Sequence, residues 1–286
     1  MRALRLLPFA ALFGLAAWRH ASVELELVYL ANEGFLARAG AQTLVIDAFV
    51  TEPYGPYAAV PRELFADLVA ARKPFEDVDL ALTSHVHPDH FQAAAAAEFL
   101  RARPSTRFLS SPQVVDELRA KLGEGADAQH VAALLPEARA TLAAPDGDIH
   151  DVDSHDADIH VEFLRLPHSG GARTASVQNL GCVIELGPEA ARLRILHVGD
   201  ADVATEDLAA YELAKRSIDV ALVPYWWLGD ARSIARAKEL TGARRLVAIH
   251  VPPGELADVK QRLASLDPAL IVFEKPGEAR TLALER

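Results

Sequence analysis

Residues 84–91 read SHVHPDHF, which places three histidines and an aspartate within the six positions from His85 to His90. The run lies between VDLALT, which reads as a strand, and FQAAAAAEFL, which reads as a helix. Imidazole nitrogen and carboxylate oxygen together suit a borderline metal such as zinc, and also iron or manganese. Side chains two apart on extended backbone point to the same side, so His85 and His87 converge on one point. Pro88 biases His87 away from helical geometry and keeps that stretch extended. Asp89 and His90 follow where the chain turns into the helix, facing a second point nearby. Asp89 could instead only cap that helix, with the histidines forming a solvated turn. The density of H-x-H-x-D-H favours metal chemistry over that plainer reading.

Two metal ions need more donors than one loop supplies, so further His and Asp should end other strands. Three do. His168 follows the strand EFLRL in LPHSGG, where two glycines let the backbone approach closely. Asp200 follows RLRILHV in HVGDAD, again beside a glycine, and His250 follows RRLVAI in AIHVPPG. A lone strand-end histidine is a weak signal, but three residues of ligand type in equivalent places argue together. The other histidines carry less. His150, His155 and His160 belong to DGDIHDVDSHDADIH, which reads as an acidic surface hairpin in preference to an extra metal-binding loop. His197 reads as a packed residue or an outer partner of the site, and His20 and His130 have no supporting context. Tyr225, in VPYWWLG, is a candidate proton donor to a leaving group, and the same aromatic run reads equally as core packing. Trp226 and Trp227 could line an apolar pocket or simply pack.

The elements that must position these groups can be traced along the chain. SVELELVYL, FLARAG and TLVIDAFV read as an antiparallel meander. TEPYGPYAAVP reads as a loop that could line a ligand, and PRELFADLVAAR, FQAAAAAEFLRAR, SPQVVDELRAKLG and ADAQHVAALLPEA read as helices. Ser111 is the expected cap of the third of these, with Pro112 in its first turn. RFLSS, IHVEFLRL, CVIELG, RLRILHVGDAD, SIDVALVPY, RRLVAIHVPPG and LIVFEK read as strands, interleaved with the helices ATEDLAAYELAKR, ARSIARAKELTG and GELADVKQRLASL. This order suits a layered α/β sandwich better than a barrel of eight uniform units.

Composition narrows the function classes. The chain has 286 residues, enough for a sizeable core, with 51% hydrophobic and 24% charged residues. Its formal net charge is −11 and it contains no long run of Lys or Arg, so binding to a nucleic-acid backbone is disfavoured. Cys182 is the only cysteine, which excludes an intrachain disulfide and a cysteine-based zinc site. Arg2 and Arg5 precede an apolar run from Leu6 to Ala17, long enough for a signal-peptide core and short for a membrane span. Residues 1–21 are therefore expected to be a signal peptide or N-terminal anchor of a periplasmic or secreted protein. If they are not a signal, the protein would be cytoplasmic. With no Gly/Ser-rich linker after them, residues 22–286 are expected to form a single domain.

With these residues assembled, the chain resembles the metallo-β-lactamase superfamily. SHVHPDH is similar to the family's first signature, and His168, Asp200 and His250 follow in the order of its later metal positions. The resemblance runs over residues 24–255, and NEGFLARAGAQTLVIDAF is similar to the family's early hairpin, ending here at Asp47. It implies an α/β fold, a four-layer αββα sandwich with the metals at one edge. It implies that His85, His87 and His168 hold one metal, that Asp89, His90 and His250 hold another, and that Asp200 bridges them. Two divalent ions, zinc by the family pattern, would then activate a shared water. The resulting metal-bound hydroxide would attack a small ester, lactone, amide or phosphodiester, with Asp89 as the catalytic residue that orients it. Asp47 would hydrogen-bond a ligand histidine from behind, and a capping or turn role serves it equally well. The motifs HSGG, HVGD and AIH look more like the general metal-dependent hydrolases than the antibiotic-resistance enzymes. The latter commonly place a cysteine where Asp200 stands. Two other readings remain in view, a mononuclear iron dioxygenase on the same scaffold and a non-catalytic metal-binding protein. The superfamily's diiron reductases usually carry a glutamate at the position of His87 and need a flavin partner domain that this chain lacks.

Overall fold

A computed structural model describes residues 23–123, 130–135, 141–143, 159–188, 191–202 and 206–284. The expected signal or anchor segment, His20, His150 and His155 lie outside those residues. The chain opens with three antiparallel strands, β1 (Val23–Ala31), β2 (Gly34–Ala39) and β3 (Gln42–Ile46). It then winds through α1 (Arg62–Val69), β4 (Leu80–Leu82), α2 (Ala93–Ala102), β5 (Arg107–Ser110), α3 (Pro112–Leu122) and β6 (Val131–Ala133). Strands β3 to β6 pair in parallel. The second half begins with β7 (Thr141–Ala143), β8 (His160–Arg165), β9 (Leu180–Leu186) and β10 (Leu193–His197), all antiparallel neighbours. It continues with α4 (Glu206–Ala210), β11 (Val220–Pro224), α5 (Ala231–Thr241), β12 (Arg245–Ile249), α6 (Leu256–Leu266) and β13 (Ile271–Val272), the strands again parallel. The last strand, β14 (Ala279–Leu284), returns to the first half and pairs antiparallel with β1.

Among the described residues the strands form two seven-stranded sheets, ordered β14-β1-β2-β3-β4-β5-β6 and β13-β12-β11-β10-β9-β8-β7. Alternation along the strands decides which side chains meet where. Leu25, Leu27, Phe35, Leu44 and Ile46 from the first sheet meet Val161, Phe163, Ile184, Ile195 and Leu222 from the second in a central core. On its other face the first sheet packs Leu36, Val45 and Phe108 against Leu68, Phe99, Val115 and Leu118 of α1, α2 and α3. The second sheet turns Leu164, Val183 and Leu246 toward Ile234, Ala237, Val259 and Leu263 of α5 and α6. The layers are therefore helix, sheet, sheet, helix, the expected αββα sandwich.

Several local expectations change. ADAQHVAALLPEA contributes β6 rather than a helix over its described part, because Val131 packs into the core while β6 continues the ladder beyond β5. Propensity loses there to an open sheet edge. The helix expected over ATEDLAAYELAKR is the single turn of α4 followed by a 3₁₀ turn at Leu213–Lys215, divided at Glu212, whose φ is +50°. Ser111 occupies the cap of α3 without a side-chain capping bond, and Pro112 supplies the first-turn geometry. Strand β14 is an addition; its residues alternate exposed and half-buried, which blunts any hydrophobic signal.

Candidate metal centre

The C-terminal ends of strands β1, β3, β4, β8, β10 and β12 gather at one edge of the sandwich, and each carries a titratable side chain. After β4 the backbone runs extended through Ser84 and His85, then closes on itself. The amides of His90 and Phe91 both donate to the His87 carbonyl, at 2.9 Å each. Helix α2 starts only at Ala93, with Gln92 at its cap, so Asp89 is not a capping residue and its carboxylate faces the cluster. His168 follows β8 and forms an isolated bridge with Ala201, which brings it beside Asp200. His250 follows β12 with a φ of +61°, a left-handed conformation that few residues other than glycine adopt.

Two groups of donor atoms result. In the first, His168 Nε2 lies 3.2 Å from His85 Nε2 and 3.0 Å from His87 Nδ1, and the latter two are 3.1 Å apart. Asp200 Oδ2 closes this group at 3.4 Å from His168 and 4.0 Å from His85. In the second, His90 Nε2 and His250 Nε2 are 3.1 Å apart. Asp200 Oδ1 lies 3.4 and 3.3 Å from them, and Asp89 Oδ2 lies 3.8 and 3.3 Å from them. One carboxylate thus turns an oxygen to each group.

Imidazole nitrogens that face each other at these distances repel when both present lone pairs, and they can share a contact only through a proton or a cation. Three such nitrogens around one point, with a carboxylate oxygen beside them, fit a divalent ion better than a set of hydrogen bonds. The second group, two imidazoles and two carboxylates, fits equally. Every donor is nitrogen or oxygen. Cys182 sits in the central core, where burial pushes its thiol far up and leaves it inert.

The outward-facing ring atoms are also held. Asp47, itself at φ +46°, takes Ser84 N–H at 2.7 Å on Oδ1. Its Oδ2 accepts from Ser84 Oγ at 2.6 Å and meets His90 Nδ1 at 3.0 Å. Ser84 Oγ in turn lies 3.1 Å from His85 Nδ1. With both Nε2 atoms turned to the donor groups, Nδ1 carries the proton. Asp47 then orients His90 directly and His85 through Ser84. His168 Nδ1 is 2.6 Å from the Ser169 carbonyl, which Thr174 Oγ1 also holds at 2.6 Å. Asp200 is set by its amide, which donates to Asn179 Oδ1 at 3.1 Å. Gly199 permits that turn, with φ +54°; a Cβ there would lie 2.3 Å from Asn179 Oδ1.

The electrostatics divide in the same way. Burial pushes His85 well down, with His90 adding to the effect. Burial acts against charge on His90 too, but Asp200 and Glu33 outweigh it and hold that imidazole well above its usual range. His250 is held up at about 9, because its hydrogen bonds to Asp200 and Asp89 exceed the cost of its burial. In Asp200 the facing His90 and His250 overcome burial and hold the carboxyl well below its usual range. The second group is therefore the more charged of the two.

A family model described as the β-lactamase superfamily domain matches residues 42–272. The chain belongs to this superfamily. Solved structures share its metallo-β-lactamase fold at low identity. A metallo hydrolase from the hyperthermophilic archaeon Ignicoccus hospitalis is 19% identical, covering 92% of this chain and 100% of its own, with a TM-score of 0.60. A possible metal-dependent hydrolase from Veillonella parvula is 16% identical, with the same coverages and a TM-score of 0.62. CmlA, a diiron β-hydroxylase from Streptomyces venezuelae, is 15% identical over 93% of this chain and 55% of its own, with a TM-score of 0.55. No curated protein matches the chain. Among the described residues, no helix is long and apolar enough to cross a membrane.

On this superfamily scaffold, all seven residues singled out along the sequence, from His85 to His250, lie in the two donor groups. Asp47 lies behind His90. The Tyr225 hydroxyl donates to Glu255 Oε2 at 3.2 Å. The aromatic rings beside the donors are Tyr57, edge-on to His250 with centroids 4.2 Å apart, and Trp226, at 5.0 Å from the same ring. Burial and the carboxylates of Asp200 and Asp89 push the Tyr57 phenol up, so it stays protonated. Tyr57 was hidden in a Pro/Gly/Tyr loop whose position no periodicity reports. Glu33 was missed as well. It is fully buried, its Oε2 lying 3.5 Å from both His90 Nδ1 and His197 Nε2, and burial pushes its carboxyl well up. The signal that finds it is the one that found His168, a titratable residue just past a strand and next to a glycine, here in ANEG.

Proposed function

We propose that this chain is a metal-dependent hydrolase with a dinuclear centre, zinc being the favoured metal. His85, His87 and His168 would hold the first ion, Asp89, His90 and His250 the second, and Asp200 both. The observation that carries this reading is that Asp200 turns one oxygen to His85 and His168, beside His87, and the other to His90 and His250, which Asp89 also faces. Bound there, divalent cations supply Lewis acidity, which lowers the pKa of water toward about 7 and polarises a carbonyl or phosphoryl oxygen.

The chain's own residues do the rest. His87 is half-buried at the mouth of the first group, so substrate arrives from its side. Asp89 faces the donors from the loop and accepts the proton of the attacking water, fixing its orientation. Tyr57 and Trp226 cover the His250 ring and present an apolar wall that restricts water on that flank. Tyr57 keeps its phenolic proton beside the carboxylates, where it is placed to donate a hydrogen bond to substrate. The substrate is a small ester, lactone, amide or phosphodiester that fits between this wall and His87.

The test is metal analysis of the purified full chain with an activity screen over ester, lactone, lactam and phosphodiester panels. Two zinc ions per chain and a hydrolysis lost in His87→Ala support the proposal. A chain that takes up no transition metal overturns it. One iron per chain with oxygen-dependent turnover supports the dioxygenase reading instead. The nitrogen and oxygen donor set also suits iron, and a diiron hydroxylase shares the fold.

A further inference from the structure

Behind the second donor group lies a buried feature that the hydrolase reading does not use. The turn joining β1 to β2, residues Asn32 and Glu33, reaches all three of that group's loop-borne residues. Asn32 Nδ2 donates to the Asp89 carbonyl at 2.9 Å. The His250 amide donates to the Asn32 carbonyl at 3.2 Å. Glu33 Oε2 stands 3.5 Å from His90 Nδ1. Asn32 adopts φ +50° to do this, and both residues are buried. No comparable contact runs from the turn to His85, His87 or His168.

Glu33 also lies near the turn that carries Asp200. The Gly199 amide donates to His197 Nδ1 at 3.1 Å, so that nitrogen is the acceptor and the ring proton sits on Nε2. His197 Nε2 lies 3.5 Å from Glu33 Oε2, and no hydrogen bond joins the two atoms. The Glu33 carboxyl therefore sits 3.5 Å from each of two imidazole rings, with neither of its oxygens hydrogen-bonded. One ring is that of His90, and the other, His197, leads through Gly199 to the turn that carries Asp200. The same proton count argues against a third cation held by Glu33, Asp47 and His197, since His197 Nε2 has no lone pair to offer.

We propose that Asn32 and Glu33 are positioning residues that set the affinity of the second metal site and leave the first nearly untouched, so that this turn decides whether the chain holds one ion or two. The inference rests on the dinuclear reading above. Its cause is geometric. An ion between His90 and His250 requires both rings and Asp89 to keep their places. The first group is fixed by different contacts, Ser84 behind His85 and the Ser169 carbonyl behind His168. The partner behind a metal-bound histidine is worth about 10- to 100-fold in affinity.

The test is calorimetric titration of the metal-stripped full chain with zinc chloride, wild type against Glu33→Gln, with native mass spectrometry to count ions. Glu33→Gln keeps the side-chain shape and sets an amide NH2, a donor only, against the two imidazole rings. The expected result is two ions in the wild type, with the second step of the variant weakened about 10- to 100-fold and the first within about twofold. The ion that remains should then disappear when His87→Ala is added. Glu33→Gln that binds both ions as the wild type does overturns the proposal alone. Equal weakening of both steps also overturns it, since that is the mark of a purely structural role. A wild-type chain that stops at one ion overturns the dinuclear reading and this inference with it. Should Glu33→Gln fail to fold, Asn32→Gly keeps the positive φ, severs the bond to Asp89, and is read against the same outcomes.

Discussion

Asp200 faces both donor groups, one oxygen to each. Its replacement should therefore act differently from that of any histidine. Asp200→Ala is expected to lower zinc content at both sites, whereas His87→Ala should remove the ion of the first site and spare the second; metal analysis after dialysis reads the difference. A second residue-scale prediction concerns acid. Burial, with His90 adding to it, pushes His197 down to about 4 from its ordinary 6.5, against Asp47, Asp200 and the Glu33 backbone. The folded chain thus refuses a proton that the unfolded chain takes. The stability tied to this ring is complete above pH 6.5, and it drains as pH falls toward 4. By linkage it amounts to about 3 kcal/mol in full, of which about 2 is lost by pH 5. His90 and His250, held above their usual range, act in the opposite direction, so the reading is a difference. In denaturant unfolding of the metal-free chain, wild type should lose about 2 kcal/mol more than His197→Asn between pH 7 and pH 5. Residues such as His85 and His168 were legible in the sequence because a dense H-x-H-x-D-H run and three residues of ligand type at equivalent strand ends argue together. Glu33 and Tyr57 were not. Their importance comes from partners 57 and 193 positions away, supplied by folding and by no local pattern.

At the scale of elements, the site is a set of strand ends held in register, and the loop over it is pinned at one point. Gln92, at the cap of α2, accepts from the amides of Thr51 and Glu52 at 3.0 Å each. It donates to the carbonyls of Glu52 at 2.7 Å and Pro88 at 3.0 Å. It thereby ties the Tyr54–Tyr57 loop to the turn that carries His87 and Asp89. Gln92→Ala is expected to cost about 1–2 kcal/mol of stability, the net worth of a few such bonds. It should also raise KM more than it lowers kcat while leaving zinc content unchanged, as steady-state kinetics and metal analysis would reveal. The strands that carry the site were readable because they are buried and strongly apolar, as in LVAI before His250 and LALT before Ser84. The peripheral elements were harder. β6 has three residues and the body of α4 a single turn, and at that length sheet pairing or one strained residue outweighs propensity.

At the scale of the molecule, the donors come from both sheets. His85, His87, Asp89 and His90 follow a strand of the first, and His168, Asp200 and His250 follow strands of the second. A bound ion therefore ties together two layers that otherwise meet through the central core. Stripping metal with a chelator is expected to lower the melting temperature, and adding zinc should restore it. The gain should be about 4 kcal/mol when free zinc stands about a thousandfold above the dissociation constant. Calorimetric scans across zinc concentrations would check this, and a melting temperature indifferent to zinc would contradict it. The layered architecture was legible because the strand and helix order repeats in both halves. The crossing of β14 back to the first sheet was not, because its partner lies at the opposite end of the order. That crossing has a kinetic consequence. The outer rim of β1, where Val23 to Val28 face Leu284 to Ala279, stays unpaired on the ribosome until about 250 further residues have been made. A nascent chain thus exposes a bare ladder of amides and carbonyls through most of its synthesis, and a truncation that removes β14 would keep it exposed, inviting strand-to-strand aggregation.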